Sequence, residues 1–468
     1  MSSQGAQPVA DPEIAAMRAA VAKGFPQTVA ELAELVAIPG IAWPAFPAGE
    51  LERSAEAVLQ LVRAAGIEDA EILRAPRPDG SAGGPAVVAR RPAAEGQRTV
   101  LLYAHHDVQP PGEASLWETE PFAAIQRDGR LYGRGSADDK AGLFVHLAAF
   151  RAVSEVLGEQ FGLGVTLFIE GEEEFGSPSF RAFLEAHRER LAADVIVVAD
   201  SSNWTLGQPA LTTSLRGLAA GTFEVAVLEH SVHSGVFGGP VLDAPTLLAR
   251  LIATLHDDDG SVAVEGLLSH EDAKVDYPEG QFRRDASVLD GVRLAGTGSL
   301  ASRLWLKPAL SITGIDVPAV DVASNTIQAR ARAKFSLRLA PGQDPDAALD
   351  ALGRHLEANV PFGARLTYKP TEKGSAYRAD MDSAAARTVL WALGESWGTA
   401  PVHTGTGGSI PFIADLKEVF PEAEVLITGV EDPDSRAHGA NESLHLGDFE
   451  KCIVAEALLL AGLQVAMP

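Results

Sequence analysis

The chain has 468 residues, 46% of them hydrophobic, and its 38 basic and 63 acidic residues give a formal net charge of −25 at pH 7. This charge argues against a nucleic-acid partner, because a polyanion would be repelled over most of the surface. The length predicts two domains, since a single hydrophobic core rarely grows beyond roughly 250 to 300 residues.

The cysteine count and the two ends of the chain bear on its compartment. Cys452 is the one cysteine, so neither an internal disulfide nor a thiolate metal cage can form. The start, MSSQGAQPVADPEIAAMRAAV, lacks a basic segment followed by an apolar one, and the late run LLLAGLQVAMP is too short to span a bilayer. We therefore expect a cytoplasmic protein with no signal peptide and no membrane partner.

Short apolar runs alternate with helical patterns in the first part of the chain. The runs VVAR, TVLLYA, VTLFIE and VIVVAD are typical of strands buried on both faces of a mostly parallel sheet. Residues 11–38, interrupted at Pro26, and the stretches KAGLFVHLAAFRAVSEVL and SFRAFLEAHRERLA have the apolar spacing of helices. The pattern predicts an α/β domain with helices on both faces of the sheet.

The pattern changes near residue 212. The stretches LTTSLRGLAAGTFEVAV and TIQARARAKFSLRLA alternate apolar and polar residues, which indicates a sheet with one exposed face, and each is followed by a helix candidate. Helix, Gly-rich loop and strand return from about residue 384. We predict that an α+β insert, residues 212–383, interrupts an α/β domain formed by residues 1–211 and 384–468.

Histidines and acids follow the predicted strands of the α/β domain. Ligands bind beyond the carboxyl ends of the strands in open α/β sheets, so these side chains are expected to converge, and such a density of carboxylates is tolerable around cations. Imidazole with carboxylate suits Zn²⁺, with Mn²⁺ or Co²⁺ as alternatives, and two such ions form a known hydrolytic arrangement. The predicted ligands are His105, Asp138, Glu174, Asp200 and His438.

Each of these residues has another interpretation when it is considered alone. Asp107 before QPPG could form a turn, Asp138 or Asp139 could cap the following helix, and GEEEFGS could be a solvated acidic loop. His438 could be an ordinary surface histidine. The metal-site hypothesis therefore depends on the whole set of residues rather than on any one of them.

Eight motifs occur in a fixed order, namely HHDVQP, LYGRGSADDKAG, EGEEEFGS, VADSSNW, HSGVFGG, KFSLRL, GGSIP and AHGANE. From about residue 30 to about residue 455 the chain thereby resembles the di-zinc metallopeptidases that include carnosinase, the cytosolic nonspecific dipeptidases, aminoacylase and succinyl-diaminopimelate desuccinylase. The resemblance implies that Asp138 bridges two ions, that Asp107 orients the site, and that Glu173 is the general base and acid. It leaves Asp139 as a neighbour of the bridging residue.

The resemblance also implies a role for the insert, as a ferredoxin-like lid and dimerisation domain. His233 would reach the active site of the partner subunit in a homodimer and polarise the scissile carbonyl. Arg338 would bind the substrate carboxylate, although an exposed charge on a strand face is the other interpretation of this residue. Thr326, Gly408 and Ser409 would hold the substrate backbone.

The predicted function is a metal-dependent dipeptidase, in which Glu173 deprotonates a metal-bound water and the hydroxide attacks the peptide bond. The aspartate at position 200 resembles the dipeptidase and aminopeptidase branch of the family. One alternative is an N-acyl or N-succinyl amino acid amidohydrolase, and another is a non-catalytic, metal-stabilised dimer that binds peptides. A panel of dipeptides and N-acyl amino acids would separate these possibilities.

The HHD sequence itself permits a prediction about register. Side chains alternate along an extended segment, so His105 and Asp107 project to one side and His106 to the other. His105 is then the ligand and Asp107 orients its imidazole. His106 is expected to be a bystander or a packing residue.

Overall fold

The computed structural model describes residues 8–407 and 411–464. The chain divides into two compact units. The first unit contains the described residues up to Thr213, Ala379–Thr404, and those from Asp415 onward. The second unit contains Ser214–Arg378 and the described residues of Gly405–Ala414.

The α-helices of the described residues are α1 Asp11–Val36, α2 Ala48–Ala64, α3 Lys140–Leu157, α4 Phe180–Ala186, α5 Arg188–Leu191, α6 Ser234–Phe237, α7 Ala244–Ala253, α8 Glu279–Asp285, α9 Leu300–Trp305, α10 Pro345–Asn359, α11 Ala384–Trp397, α12 Pro411–Val419 and α13 Leu446–Gln464. The strands are β1 Asp69–Leu73, β2 Ala86–Arg91, β3 Thr99–His105, β4 Ile125–Arg127, β5 Arg130–Tyr132, β6 Gly164–Glu170, β7 Val195–Val198, β8 Ala210–Leu215, β9 Gly217–Ala226, β10 Val232–His233, β11 Ala309–Asp316, β12 Thr326–Ile327, β13 Arg330–Leu339, β14 Arg365–Gly374, β15 Tyr377–Arg378, β16 Val402–Thr406, β17 Glu424–Ile427 and β18 Ser443–His445.

The main sheet of the first unit has the order β1-β2-β6-β3-β7-β17-β8, with β16 beside β8. Its central strands β6, β3, β7 and β17 are parallel. On one side β2 and β1 join antiparallel, and on the other β8 pairs antiparallel with β17. The α/β class is confirmed, with parallel pairing confined to the centre of a mixed sheet.

Both faces of this sheet are covered, as the fully apolar strands predict. Val100 and Leu102 of β3 face a core shared with α1, α3 and α13. Tyr103 points to the other face, where it meets Phe168 of β6 and Phe180 of α4, at ring-centroid distances of 5.5 Å and 6.0 Å. Alternation along the strands therefore divides the buried side chains between two helical layers.

The helix α1 is continuous through Pro26, so the predicted interruption is wrong. Proline removes one main-chain hydrogen bond from a helix, but Val21, Val29 and Leu32 on either side of it are buried in the core of the first unit. Packing of this apolar stripe stabilises the helix against the local cost of the proline.

Within the described residues, one helical span, Lys140–Gln160, is long and apolar enough to cross a membrane by length and composition, with a mean hydropathy of 1.3. It contains α3, and 67% of its most apolar 18-residue stretch is buried inside the protein. The side chains of Leu143, Phe144 and Leu147 are fully buried in the core of the first unit. A central core helix has this composition without a membrane.

The second unit has a four-stranded antiparallel sheet of order β11-β13-β9-β14. Along β13, Ala331, Ala333 and Phe335 are buried while Arg332 and Lys334 are exposed, which confirms the predicted alternation. The helices α7 and α10 contribute their apolar faces to the core beneath this sheet. The succession β9-α7-β11-β13-α10-β14 with this strand order is the ferredoxin-like arrangement that we predicted.

Candidate active site

The candidate site lies at the carboxyl ends of the central parallel strands. β3 ends at His105 and β6 at Glu170, and these two residues are register partners. Asp200 follows the end of β7 by two residues, and Glu173 follows the end of β6 by three. Because neighbouring parallel strands end at the same edge of a sheet, these side chains are brought to one crevice, as expected.

Two groups of side chains in the first unit have the composition and spacing of metal sites. In each group the possible ligand atoms all lie within 4.8 Å of one another. The groups are His105, Asp139 and Asp200, and Asp138, Glu174 and His438. All five predicted ligands belong to these two groups, and Asp139, which was not a predicted ligand, belongs to the first group.

Asp138 belongs to the second group and also lies beside His105 of the first. Its Oδ1 is 3.2 Å from His105 Nε2, and its Oδ2 is 3.0 Å from His438 Nε2. Glu174 Oε2 lies 3.1 Å from the same nitrogen of His438. One carboxylate thus faces both histidines, which is the position that a bridging ligand occupies.

Asp139 occupies the N-cap position of α3, but its side chain accepts no capping hydrogen bond from the described residues. Its Oδ2 accepts a hydrogen bond from the main-chain N–H of His105 at 3.2 Å. Its Oδ1 is buried and has no hydrogen-bond partner among the described residues. An orphaned carboxylate oxygen beside an imidazole and a second carboxylate fits a bound cation.

The electrostatics of the site also fit divalent cations. Burial, reinforced by Asp200 and only partly offset by His105, raises the pKa of Glu173 to about 9. Burial, together with the charge of Asp138, raises the pKa of Asp200 to about 7. Hydrogen bonds to Asp138 and Glu174 raise the pKa of His438 to about 10. Glu173 and Asp200 thus resist ionisation without added positive charge, and carboxylate with imidazole is a donor set that divalent metals accept.

The two adjacent histidines point in different directions. His105 directs Nε2 toward Asp138, and its Nδ1 lies 3.0 Å from the main-chain oxygen of Asp107. His106 is fully buried, with Nδ1 3.1 Å from Ser54 Oγ and Nε2 2.8 Å from the main-chain oxygen of Pro85. The ring of His106 therefore belongs to the packing around the site rather than to the ligand groups.

Asp107 connects the strand β3 to the acidic loop after β6. Its two carboxylate oxygens accept hydrogen bonds from the main-chain N–H groups of Glu173 and Glu174, both at 3.1 Å. The carboxylate of Asp107 is also 3.5 Å from His105 Nδ1. Asp107 thus contacts the imidazole of His105 and the backbone of Glu173, the predicted base, and of Glu174, a predicted ligand.

The loop before α3 has a further partner that the sequence interpretation missed. Glu442 is fully buried and accepts hydrogen bonds from the main-chain N–H groups of Gly135, Ala137 and Asp138. Its place in the AHGANE motif, four residues after His438, is the one sequence signal that could have identified it.

Three of the residues predicted to contact substrate, His233, Thr326 and Arg338, belong to the second unit. His233 on β10 and Thr326 on β12 are register partners, and His233 is exposed. Arg338 lies half-buried on β13.

The sequence interpretation missed Arg216, a buried residue whose Nε donates to the main-chain oxygen of Gly407 at 3.2 Å. Burial, together with the charge of Arg338, lowers the pKa of Arg216 to about 10. Gly408 and Ser409 lie outside the described residues.

Comparison with known proteins identifies the family. Residues 101–461 match the peptidase family M20/M25/M40. A cysteinylglycine-S-conjugate dipeptidase of Corynebacterium striatum is 36% identical over 367 residues, which are 77% of this chain and 80% of that protein. The chain belongs to peptidase family M20/M25/M40. It is therefore a hydrolase of peptide bonds, as predicted.

Other relatives of this M20 peptidase support the same assignment. The human Beta-Ala-His dipeptidase is 28% identical over 369 residues, which are 75% of this chain and 72% of that protein. The crystal structure of human carnosine dipeptidase 1 matches with a TM-score of 0.70 and 25% identity, covering 97% of this chain and 99% of that one. An M20 family metallo-carboxypeptidase of Sulfolobus solfataricus has the same fold, with a TM-score of 0.74 at 23% identity and coverage of 93% and 99%.

Proposed function

We propose that this M20 peptidase is a metal-dependent dipeptidase that holds two divalent ions and functions as a cytoplasmic homodimer. The observation that carries the proposal is the position of Asp138, which belongs to one ligand group and lies beside His105 of the other, with Glu173 next to His105. The similarity to the dipeptidase of Corynebacterium striatum supports a dipeptide substrate. Zn²⁺ is the proposed metal, with Mn²⁺ or Co²⁺ as alternatives, because the ligands are imidazole and carboxylate.

The proposed ligands divide between two ions that share Asp138. His105 and Asp200 would hold one, and Glu174 and His438 the other. Divalent ions at these positions supply Lewis-acid activation of water and of the peptide carbonyl. Asp107 fixes the imidazole of His105 and the backbone of the acidic loop, so that the ligands are held in place before substrate binds.

Glu173 is the proposed general base and acid. Its Oε2 lies 3.8 Å from His105 Nε2, so the carboxylate borders the ligand groups without completing either of them. The burial that raises its pKa also makes this carboxylate a stronger base. Glu173 would take a proton from the attacking water and deliver it to the nitrogen of the leaving amine.

The second unit would bind the substrate as a lid and mediate dimerisation. Arg338 would pair with the free carboxylate of the dipeptide, and Thr326, Gly408 and Ser409 would hold its backbone. The buried cation Arg216 adds positive potential near Arg338 and supports an anionic ligand there. His233, whose side chain is exposed, would polarise the scissile carbonyl in a second copy of the chain.

A substrate panel tests this proposal. Metal-loaded protein is incubated with Cys-Gly, β-Ala-His and dipeptides of standard residues, and in parallel with N-acetyl and N-succinyl amino acids, and the released amine is measured. We expect a higher kcat/KM for the dipeptides. A preference for the acylated amino acids would favour the amidohydrolase alternative, and binding without turnover of any substrate would favour the non-catalytic alternative.

A further inference from the structure

Glu442 organises the loop that carries Asp138. Its Oε1 accepts hydrogen bonds from the main-chain N–H groups of Ala137 and Asp138 at 3.0 Å and 3.1 Å. Its Oε2 accepts from the main-chain N–H of Gly135 at 3.0 Å and from Arg134 Nη1 at 2.6 Å. A single carboxylate therefore accepts hydrogen bonds from three main-chain N–H groups of a loop that would otherwise bury them unsatisfied.

The same residue ties this loop to the segment of His438. The main-chain oxygen of Glu442 accepts a hydrogen bond from Gly133 N–H at 2.9 Å, so side chain and backbone both hold residues 133–138. His438 precedes Glu442 by four residues, with a left-handed backbone at φ 61°, and Asn441 is left-handed at φ 62°. Such angles are costly for residues other than glycine and persist where surrounding contacts hold the chain.

The hydrogen bonds of Glu442 hold the loop of Asp138 next to the segment of His438, and the two side chains meet there. Their side chains approach to 3.0 Å, and neither residue could keep this geometry if the loop and the segment moved apart. Among the described residues no hydrogen bond joins Glu442 to a ligand side chain, and its hydrogen bond to the main-chain N–H of Asp138 acts through the backbone. Its effect on a bound ion would therefore be indirect.

We propose that Glu442 is a positioning residue that sets the affinity of the protein for divalent metal by fixing Asp138 relative to His438. Outer partners of metal ligands typically contribute about 10- to 100-fold in metal affinity. Replacing the carboxylate by an amide keeps the shape but puts an N–H group where an acceptor is needed. Glu442→Gln should thus weaken Zn²⁺ binding while the remaining packing of the first unit is retained.

A matched control is available in the same unit. Glu456 is also a buried carboxylate, and its Oε1 lies 2.7 Å from Nδ1 of the buried His146 on α3. Within the part of the chain that the structure describes, no hydrogen bond or ion pair joins Glu456 to the loop 133–138 or to the ligand groups. Glu456→Gln therefore reports the general cost of losing a buried carboxylate.

The test is a Zn²⁺ titration of metal-free protein against a competing chelator, together with the thermal midpoint of the metal-free form. We expect Zn²⁺ affinity to fall by about 10- to 100-fold in Glu442→Gln relative to Glu456→Gln. Equal affinities in the two variants would overturn the proposal. If Glu442→Gln does not fold, Glu442→Asp, which keeps the charge but is too short to reach all three N–H groups, takes its place with the same expectation.

This inference rests on the proposed two-ion site, and the titration separates the two claims. A wild-type protein that binds no Zn²⁺ would contradict the proposed function. A wild-type protein that binds Zn²⁺ and a Glu442→Gln variant that binds it equally well would contradict the role of Glu442 alone.

Discussion

Glu173→Gln should abolish most of the dipeptidase activity without unfolding the protein. Among the described residues no hydrogen bond to the Glu173 carboxylate is present, and its nearest ionic contact is His105 Nε2 at 3.8 Å, so the substitution removes no structural hydrogen bond. General acid–base catalysis contributes about 10²- to 10⁴-fold, which corresponds to roughly 3 to 5 kcal/mol of activation free energy. We expect kcat to fall within that range.

The assay measures kcat on a dipeptide together with metal content and thermal midpoint. Metal content should remain at the wild-type value, because Glu173 lies outside both ligand groups. Glu185→Gln on α4 is the control, since this glutamate is exposed and its one ion pair among the described residues is with Arg181 at the surface. A metal-loaded Glu173→Gln variant with wild-type kcat would refute the assignment of the base.

Three further predictions concern buried side chains. His105→Ala should lose bound metal, as measured by elemental analysis of the purified protein. His106→Ala should keep its metal but should lower the free energy of unfolding by about 1 to 3 kcal/mol, because the buried ring faces polar partners with both nitrogens. Loss of metal in His106→Ala and not in His105→Ala would show that the predicted register is reversed. Cys452 should not react with a thiol reagent until the protein unfolds, since burial raises the pKa of its thiol; rapid labelling of native protein would contradict its burial.

Much of the fold follows from periodicity in the sequence. The apolar runs that become β3, β6 and β7 are buried on both faces, and such runs are typical of parallel strands between helical layers. The alternation in β13 likewise specifies a sheet with one covered face. Pro26 was misjudged because the local cost of proline is a property of the isolated helix, whereas α1 is stabilised by the core on which it packs.

The candidate site was predictable where the topology of the sheet alone brings residues together. His105 ends β3 and Asp200 follows β7, and these strands are adjacent and parallel, so the convergence of the two residues needs no knowledge of side-chain packing. Glu442 could not be found in this way, because its hydrogen-bond partner Asp138 is 304 residues away in the sequence. The family resemblance gives the bridging role to Asp138 and leaves Asp139 as its neighbour, and the grouping of Asp139 with His105 and Asp200 follows only from the position of its carboxylate in the structure.

The central claim is that two divalent ions at the Asp138 site make peptide hydrolysis possible. Its most direct test is a titration of chelator-stripped protein with Zn²⁺ or Mn²⁺, in which bound metal per chain and the rate of dipeptide hydrolysis are measured on the same samples. The proposed site predicts no turnover in the stripped protein and a rate that rises until two ions per chain are bound. Full turnover by protein that retains no metal would contradict it.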